Sequence, residues 1–327
     1  MATSHNALPN AVAANAAATI PAAAAPDTRN GGTWRMVAAM LLSGTIGLVV
    51  IESGLPVEQV VLLRCLLGAL GLGAWLGWRR AWVRPSGRDW RFMLLGGVAL
   101  VANWVALFHA YAYVGIAVAT VVYHVQPFML VLAAALGGEA MGWRKLPWML
   151  LALAGVVLSS GMGTDGAALA TQHIGAPVWG VLLALAAAAL YTVTVVSTRR
   201  VKGIAPAQIA MVQMLAGGAA LALWSAPVLL QGLQRTSQVP LAQTVICVLI
   251  VGLVHTSLMY GLMYGAFQRL GAAAIAMLSF IYPAIALAVD LLWFGAHPTA
   301  LQWLGMALIV LAVLGYRRQD LRTQASA

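Results

Sequence analysis

The sequence predicts an all-α membrane protein of ten transmembrane helices arranged as two inverted five-helix repeats. Three observations carry that expectation. From Met36 onward the chain is a succession of apolar stretches almost free of charge, each about 20 residues long, the length of helix that crosses a ~30 Å hydrocarbon core. The composition is 62% apolar and only 8% charged, more apolar surface than a soluble fold of this length can bury. Nearly all Lys and Arg residues gather between the stretches, at every second junction.

In order, the first span is expected at 36–54, preceded by Arg29 and Arg35 and closed by the short Gly54–Pro56 connection. The second, 57–77, ends at the block Arg79, Arg80, Arg84, Arg88 and Arg91. The third, 91–112, turns at Gly115 into the fourth, 116–138, which Pro127 interrupts and which Arg144 and Lys145 follow. The fifth, 147–161, leads into a polar strap. Spans six and seven, 178–198 and 205–229, are separated by Arg199, Arg200 and Lys202. Span eight, 242–268, meets Arg269; span nine, 272–294, carries Pro283; span ten, 299–316, ends at Arg317, Arg318 and Arg322. With ten alternating spans all these cations face one side, and Arg235 alone faces the other. Adding or dropping one span scrambles the pattern. Positive residues accumulate on the cytoplasmic side, so both termini are expected there. The net charge of +10 then reads as contact with anionic lipid head groups and not with nucleic acid.

Tryptophans agree with this layout: Trp34, Trp75, Trp78, Trp82, Trp90, Trp143 and Trp148 fall at one set of span ends, and Trp179, Trp224, Trp293 and Trp303 at the other, as aromatic belts do. Trp104 falls mid-span. Cys65 and Cys247 lie inside spans and read as small packing residues. Residues 1–33, rich in Ala, Asn and Pro, are expected to be a disordered tail.

An internal repeat organises the chain. Gly115–Pro127 aligns without a gap to Gly271–Pro283, Trp148 to Trp303, and Gly54 and Arg64 to Gly203 and Gln213. Each copy holds five spans, 34–162 and 178–318, joined by an extracytoplasmic linker at 163–177 and followed by a tail at 319–327. An odd number of spans forces the copies into opposite orientations, the usual architecture of secondary transporters.

At these residues the chain resembles the drug/metabolite transporter superfamily, specifically the EamA-type ten-helix permeases. The resemblance is carried by VVLLRCLLGAL in span two, ATVVYHVQPFMLVLAAALGGE in span four and AIAMLSFIYPAIALAVDLLWFG in span nine. It implies a bacterial inner-membrane transporter of small amphipathic metabolites such as amino acids, with export as the direction. Glu139 matches the family's span-four ending, whereas its counterpart in the second copy is Gly295.

Polar residues inside spans are costly and face a cavity or one another. They concentrate in the third and fourth helices of each copy. Asn103, Trp104, His109, Tyr111, Tyr123, His124, Gln126, His255, Tyr260, Ser279 and Tyr282 are therefore the expected substrate contacts, since aromatic rings with polar tips suit amphipathic metabolites. A histidine in a packed helix also serves as a plain core donor. Glu52 and Arg64 are expected to pair across the Gly54–Pro56 connection as a structural or gating contact. Glu139 is expected to pair with Arg144 or cap its helix. Pro127 and Pro283 should kink their helices as two half-gates, and Gly73/Gly77 and Gly261/Gly265 have small-residue packing spacing. A coupling proton could ride on His124, His255 or Asp290; an uncoupled facilitator is the other possibility. No phosphate loop, metal-ligand cluster or Ser-His-Asp order stands out, so no cofactor and no enzyme activity are expected. The rivals are an intramembrane enzyme acting on lipid or lipid-linked substrates, and a sensor or scaffold that transports nothing.

Overall fold

The computed structural model describes residues 26–139, 143–160, 177–226, 238–293 and 299–325. The helices are α1 (Pro26–Gly44), α2 (Ile46–Glu52), α3 (Val57–Arg79), α4 (Gly87–Tyr123), α5 (Gln126–Leu136), α6 (Leu146–Ser159), α7 (Pro177–Arg200), α8 (Pro206–Trp224), α9 (Leu241–Leu249), a π-helix (Ile250–Leu258), α10 (Met259–Phe267), α11 (Ala272–Ser279), α12 (Ile281–Trp293) and α13 (Ala300–Ala325). Among the described residues, nine helical stretches are long and apolar enough to cross a membrane. The expected fifth span is the short one: α6 has 14 residues, entered through a 3₁₀ turn at Trp143–Lys145 and a proline in its first turn. Large apolar side chains such as Leu70, Leu136, Leu223 and Leu292 are exposed, as are the belt residues Trp34, Trp78, Trp179, Trp224 and Trp293. Trp104 is buried. This is the surface of a protein solvated by lipid.

Each helix of one copy that touches its own counterpart runs against it. On α6 and α13, Trp148 Nε1 donates to Gln319 Oε1 at 2.7 Å and Lys145 pairs with Asp320 at 3.0 Å, while at the other end Gly155 abuts Gly305. On α3 and α8, Cys65 faces Gly218 and Gly73 faces Met211. On α5 and α11, Glu139 accepts from the Ala272 N–H at 3.3 Å, and Phe128 meets the Phe280 ring that follows α11. Counterparts related by an axis in the membrane plane must be antiparallel, so the copies are inverted. Gly54 and Gly203, matched in sequence, both turn through left-handed φ, +65° and +72°, where only glycine fits without strain.

The helical pattern of α4 runs unbroken over 37 residues, yet Asn103 Nδ2 lies 3.4 Å from the Tyr123 hydroxyl. Along a straight helix those residues would be ~30 Å apart. The chain therefore reverses between Gly87–Ala110 and Val118–Leu136, the two stretches that qualify as spans, close to where Val114 packs on Gly180. The proline breaks occur three residues ahead of each ring, at His124 and at Phe280: Pro127 and Pro283 have no N–H for the carbonyl four residues earlier.

Several expectations are corrected. Helix α1 starts at Pro26 and so takes in residues 26–33 of the expected tail. Helix α13 continues to Ala325 through the expected tail from 319, held by the Lys145–Asp320 pair. Residues 1–25 and most of the linker, 163–176, lie outside the described residues. A Cβ on Gly77 or Gly261 would meet nothing within 4 Å. Their partners Gly73 and Gly265 do lie against Met211 and Arg35, and helices approach more closely still at Gly155 on Gly305, at Gly97 on Gly217, and at Gly68 and Gly71 against Thr256 and Ser257. The π-helix that carries those two hydroxyls was not foreseen. Each hydroxyl bonds the carbonyl five residues back, Thr256 to Val251 at 2.7 Å and Ser257 to Gly252 at 3.2 Å, matching the wider helical turn.

Candidate functional site

A polar and aromatic cluster fills the middle of the bundle. Arg64, two turns into α3, is buried, 4% exposed. Its guanidinium lies over the Trp104 indole, 4.1 Å from the ring centroid, and its Nε donates to Thr256 Oγ1 at 3.3 Å. Thr256 spends its own proton on Val251, so it can only accept from Arg64. Arg64 Nη2 is buried without a hydrogen-bond partner. A cation–π contact supplies up to ~2 kcal/mol and a hydrogen bond from a charged donor ~1.5–3 kcal/mol. Removing a charged group from water costs several kcal/mol even after relaxation, a sum of the same order as these two contacts supply.

The expected Glu52–Arg64 pair does not form. The Glu52 carboxylate accepts from Gln243 Nε2 at 2.8 Å and from Trp293 Nε1 at 3.2 Å, because the ends of α9 and α12 reach the rim of α2 before Arg64 can. The repeat counterpart of Arg64, Gln213, is also buried but fully engaged: it accepts from the Tyr264 hydroxyl and donates to Thr198 at 3.0 Å.

The other expected site residues divide sharply. Trp104 meets Tyr260 edge-on at 6.1 Å, and Tyr260 meets Tyr264 at 5.5 Å. Asn103 holds the Ala187 carbonyl at 2.8 Å and the Tyr123 hydroxyl; Tyr123 packs on Tyr191. His124 stacks on Tyr282 and meets Phe280, both at 5.9 Å. Its Nδ1 lies 2.6 Å from the Thr120 carbonyl, an acceptor only, so Nδ1 carries the proton. Gln126 is buried beside it. His255 bonds Thr45, at the junction of α1 and α2, at 2.8 Å. Ser279 turns back to its own helix at Ala276, and His109 lies outside the cluster on an exposed rim. The side chains of Tyr111 and Asp290 lie outside the described residues. Tyr191, Tyr264 and Gln213 join the cluster although they were not among the expected contacts. Gln213 had a signal in its alignment with Arg64, and Tyr264 in its place among the polar residues of span eight.

Among the described residues, the aromatic side chains at the centre pack ring against ring. Two small cavities flank it. One of about 130 Å³ is lined by Val57, Glu58, Val61, Val105, Phe108 and His109. The other, about 120 Å³, lies between α5 and the start of α11 beside Glu139 and Lys145. Each is well below the ~300–1,000 Å³ of a drug-sized site.

Two clasps close the ends. At the basic face Glu139 pairs with Arg199 at 2.6 Å, replacing the expected Arg144, and also takes the Ala272 N–H. Arg199 reaches the Leu270 carbonyl at 3.5 Å. Nearby, burial and the Arg35 guanidinium hold Arg269 below the usual arginine range. At the opposite face Glu52 holds Gln243 and Trp293. In both, the end of a copy's first helix is latched to the end of the other copy's fourth.

Comparison with known proteins agrees with this architecture. The EamA-like transporter family model matches residues 30–161 and again 178–318. An uncharacterized transporter of Bacillus subtilis (strain 168), YxxF, is 28% identical over 291 residues, 87% of this chain and 89% of its own. A crystal structure of a protein 22% identical in sequence covers 87% of this chain and 96% of that one, with a TM-score of 0.72, a likeness of fold.

Proposed function

The chain belongs to the EamA-like transporter family, and on that premise we propose that it is a secondary transporter exporting small amphipathic metabolites, amino acids or related compounds among them, by alternating access. It is a multi-pass membrane protein, and its family and its relative YxxF point to a transporter and not an enzyme. The observation that carries the finer reading is the pair of mirrored clasps, Glu139–Arg199 and Glu52–Trp293. Releasing one while the other holds opens the cluster to one face only, and inversion of the copies makes the two openings structurally equivalent. The substrate contacts in this reading are Asn103, Trp104, Tyr123, His124, Gln126, His255, Tyr260 and Tyr282, with Pro127 and Pro283 as the flexing points. The copies 34–162 and 178–318 are the moving bodies, and both termini face the cytoplasm of a bacterial inner membrane.

The test compares metabolites retained by cells with and without the protein, then measures counterflow of the candidates in proteoliposomes. The expected result is saturable counterflow of at least one small amphipathic compound. Proteoliposomes that exchange none of them would overturn the reading.

A further inference from the structure

We propose that the transported molecule carries a single carboxylate, which seats on the free Nη2 edge of Arg64 above the Trp104 indole. The inference rests on the transport reading and names its substrate class. Arg64 is a full positive charge within a membrane span, and among the described residues no carboxylate pairs with it: Glu52 is engaged at the rim, and Glu58 lines the outer cavity. The fold does not require a cation at this depth. The inverted copy puts Gln213 at the same position and satisfies both ends of its amide internally. Arg64 differs in keeping a buried donor edge without a partner, and an unsatisfied buried donor beside a fixed charge is a ready seat for an oxyanion.

Access and charge narrow the class. The cavity is lined by Val61, one turn before Arg64 on α3, and by Val105, next to Trp104 on α4, and it is the side from which the proposed ligand enters. Arg64 is the sole buried Lys or Arg among the described residues. One cation balances one negative charge. A phosphate, at about −1.5 to −2 near neutral pH, would leave an uncompensated anion in the membrane, whereas a carboxylate would not. Trp104 and Tyr260 supply the apolar wall for the remainder of the molecule.

The experiment uses proteoliposomes of the full chain loaded with protein amino acids, their carboxamides, and short monocarboxylic acids with their amides. Wild type should move at least one carboxylate at least about tenfold faster than its amide, a factor that one charge-assisted contact readily supplies. Arg64→Gln should abolish that preference and Arg64→Lys should keep part of it. Amides moving as fast as their acids, or Arg64→Gln retaining the preference, would overturn the proposal while leaving transport intact. If no compound moves, the transport reading fails and this one with it. If Arg64→Gln does not fold, as gel filtration reports, the acid-to-amide ratio of wild type decides alone.

Discussion

The imidazole of His124 lies flat against the phenol ring of Tyr282, 5.9 Å between centroids and 2° between planes. His124 is the break residue of the first copy's fourth helix; Tyr282 follows the matching break at Phe280 in the second. The stack therefore joins the two inverted copies where both helices are weakest. His124→Phe keeps the flat ring and loses only the bond to the Thr120 carbonyl, a cost of ~1 kcal/mol. His124→Ala removes the ring pair and leaves a cavity, ~3 kcal/mol in all. Thermal unfolding of the detergent-solubilised protein separates the two. Equal shifts would show that the stack contributes nothing.

Spans, copies and break positions were legible because they are periodic: hydropathy repeats by span, and Pro127 and Pro283 sit at one register of the repeat. Residue partners were not legible. Glu52 and Arg64 are neighbours in sequence, but Gln243 and Trp293 come from the far end of the chain and take the carboxylate instead. Arg144 is close to Glu139 in sequence, yet α7 ends with Arg199 against it. The π-helix has no pattern of its own in the sequence; what accompanies it is two hydroxyls bonded to carbonyls five residues back. Glycine spacing misled for the same reason, since which glycines touch depends on how far each helix is rotated.

The clasp at the basic face should be separable from its mirror. Glu139 is half-exposed, so its ion pair contributes only ~0.2–1 kcal/mol, and Glu139→Gln should raise opening there by a factor of roughly 1.4 to 5. A cysteine at Ala134, in a background with Cys65 and Cys247 replaced by alanine, reports it through an impermeant maleimide. Glu52→Gln should leave that rate unchanged and speed labelling of Phe108→Cys at the opposite cavity. Both variants accelerating both sites would sink the idea of two independent clasps.

Helix packing can be tested at glycines of opposite character. A Cβ on Gly155 would come 2.7 Å from the Gly305 carbonyl, so Gly155→Ala should force α6 and α13 apart at ~1–3 kcal/mol. Gly261 and Gly77 lie in helices with open space around them. There alanine should stabilise by ~0.5–1 kcal/mol through helix propensity alone. Chemical unfolding in mixed micelles should order the variants with Gly155→Ala lowest and Gly261→Ala highest. The reverse order would mean α6 and α13 are not in backbone contact.

The two proline breaks should trade stability for motion. Pro127→Ala returns an N–H to the Tyr123 carbonyl, and Pro283→Ala one to the Ser279 carbonyl, because each lies four residues ahead on its helix. Each proline stands in the first turn of the helix that follows its break, where it costs far less than the ~3 kcal/mol of a helix interior, so the gain in unfolding temperature should be small, no more than a few degrees at this chain length. Straightening either helix carries its break residue, His124 or Phe280, out of the contact that joins the copies. Exchange between the two open states should slow accordingly, and maleimide labelling at Ala134→Cys and Phe108→Cys should fall together. Labelling that stays at the wild-type rate in the double variant would mean that the breaks shape the packed core and take no part in the movement.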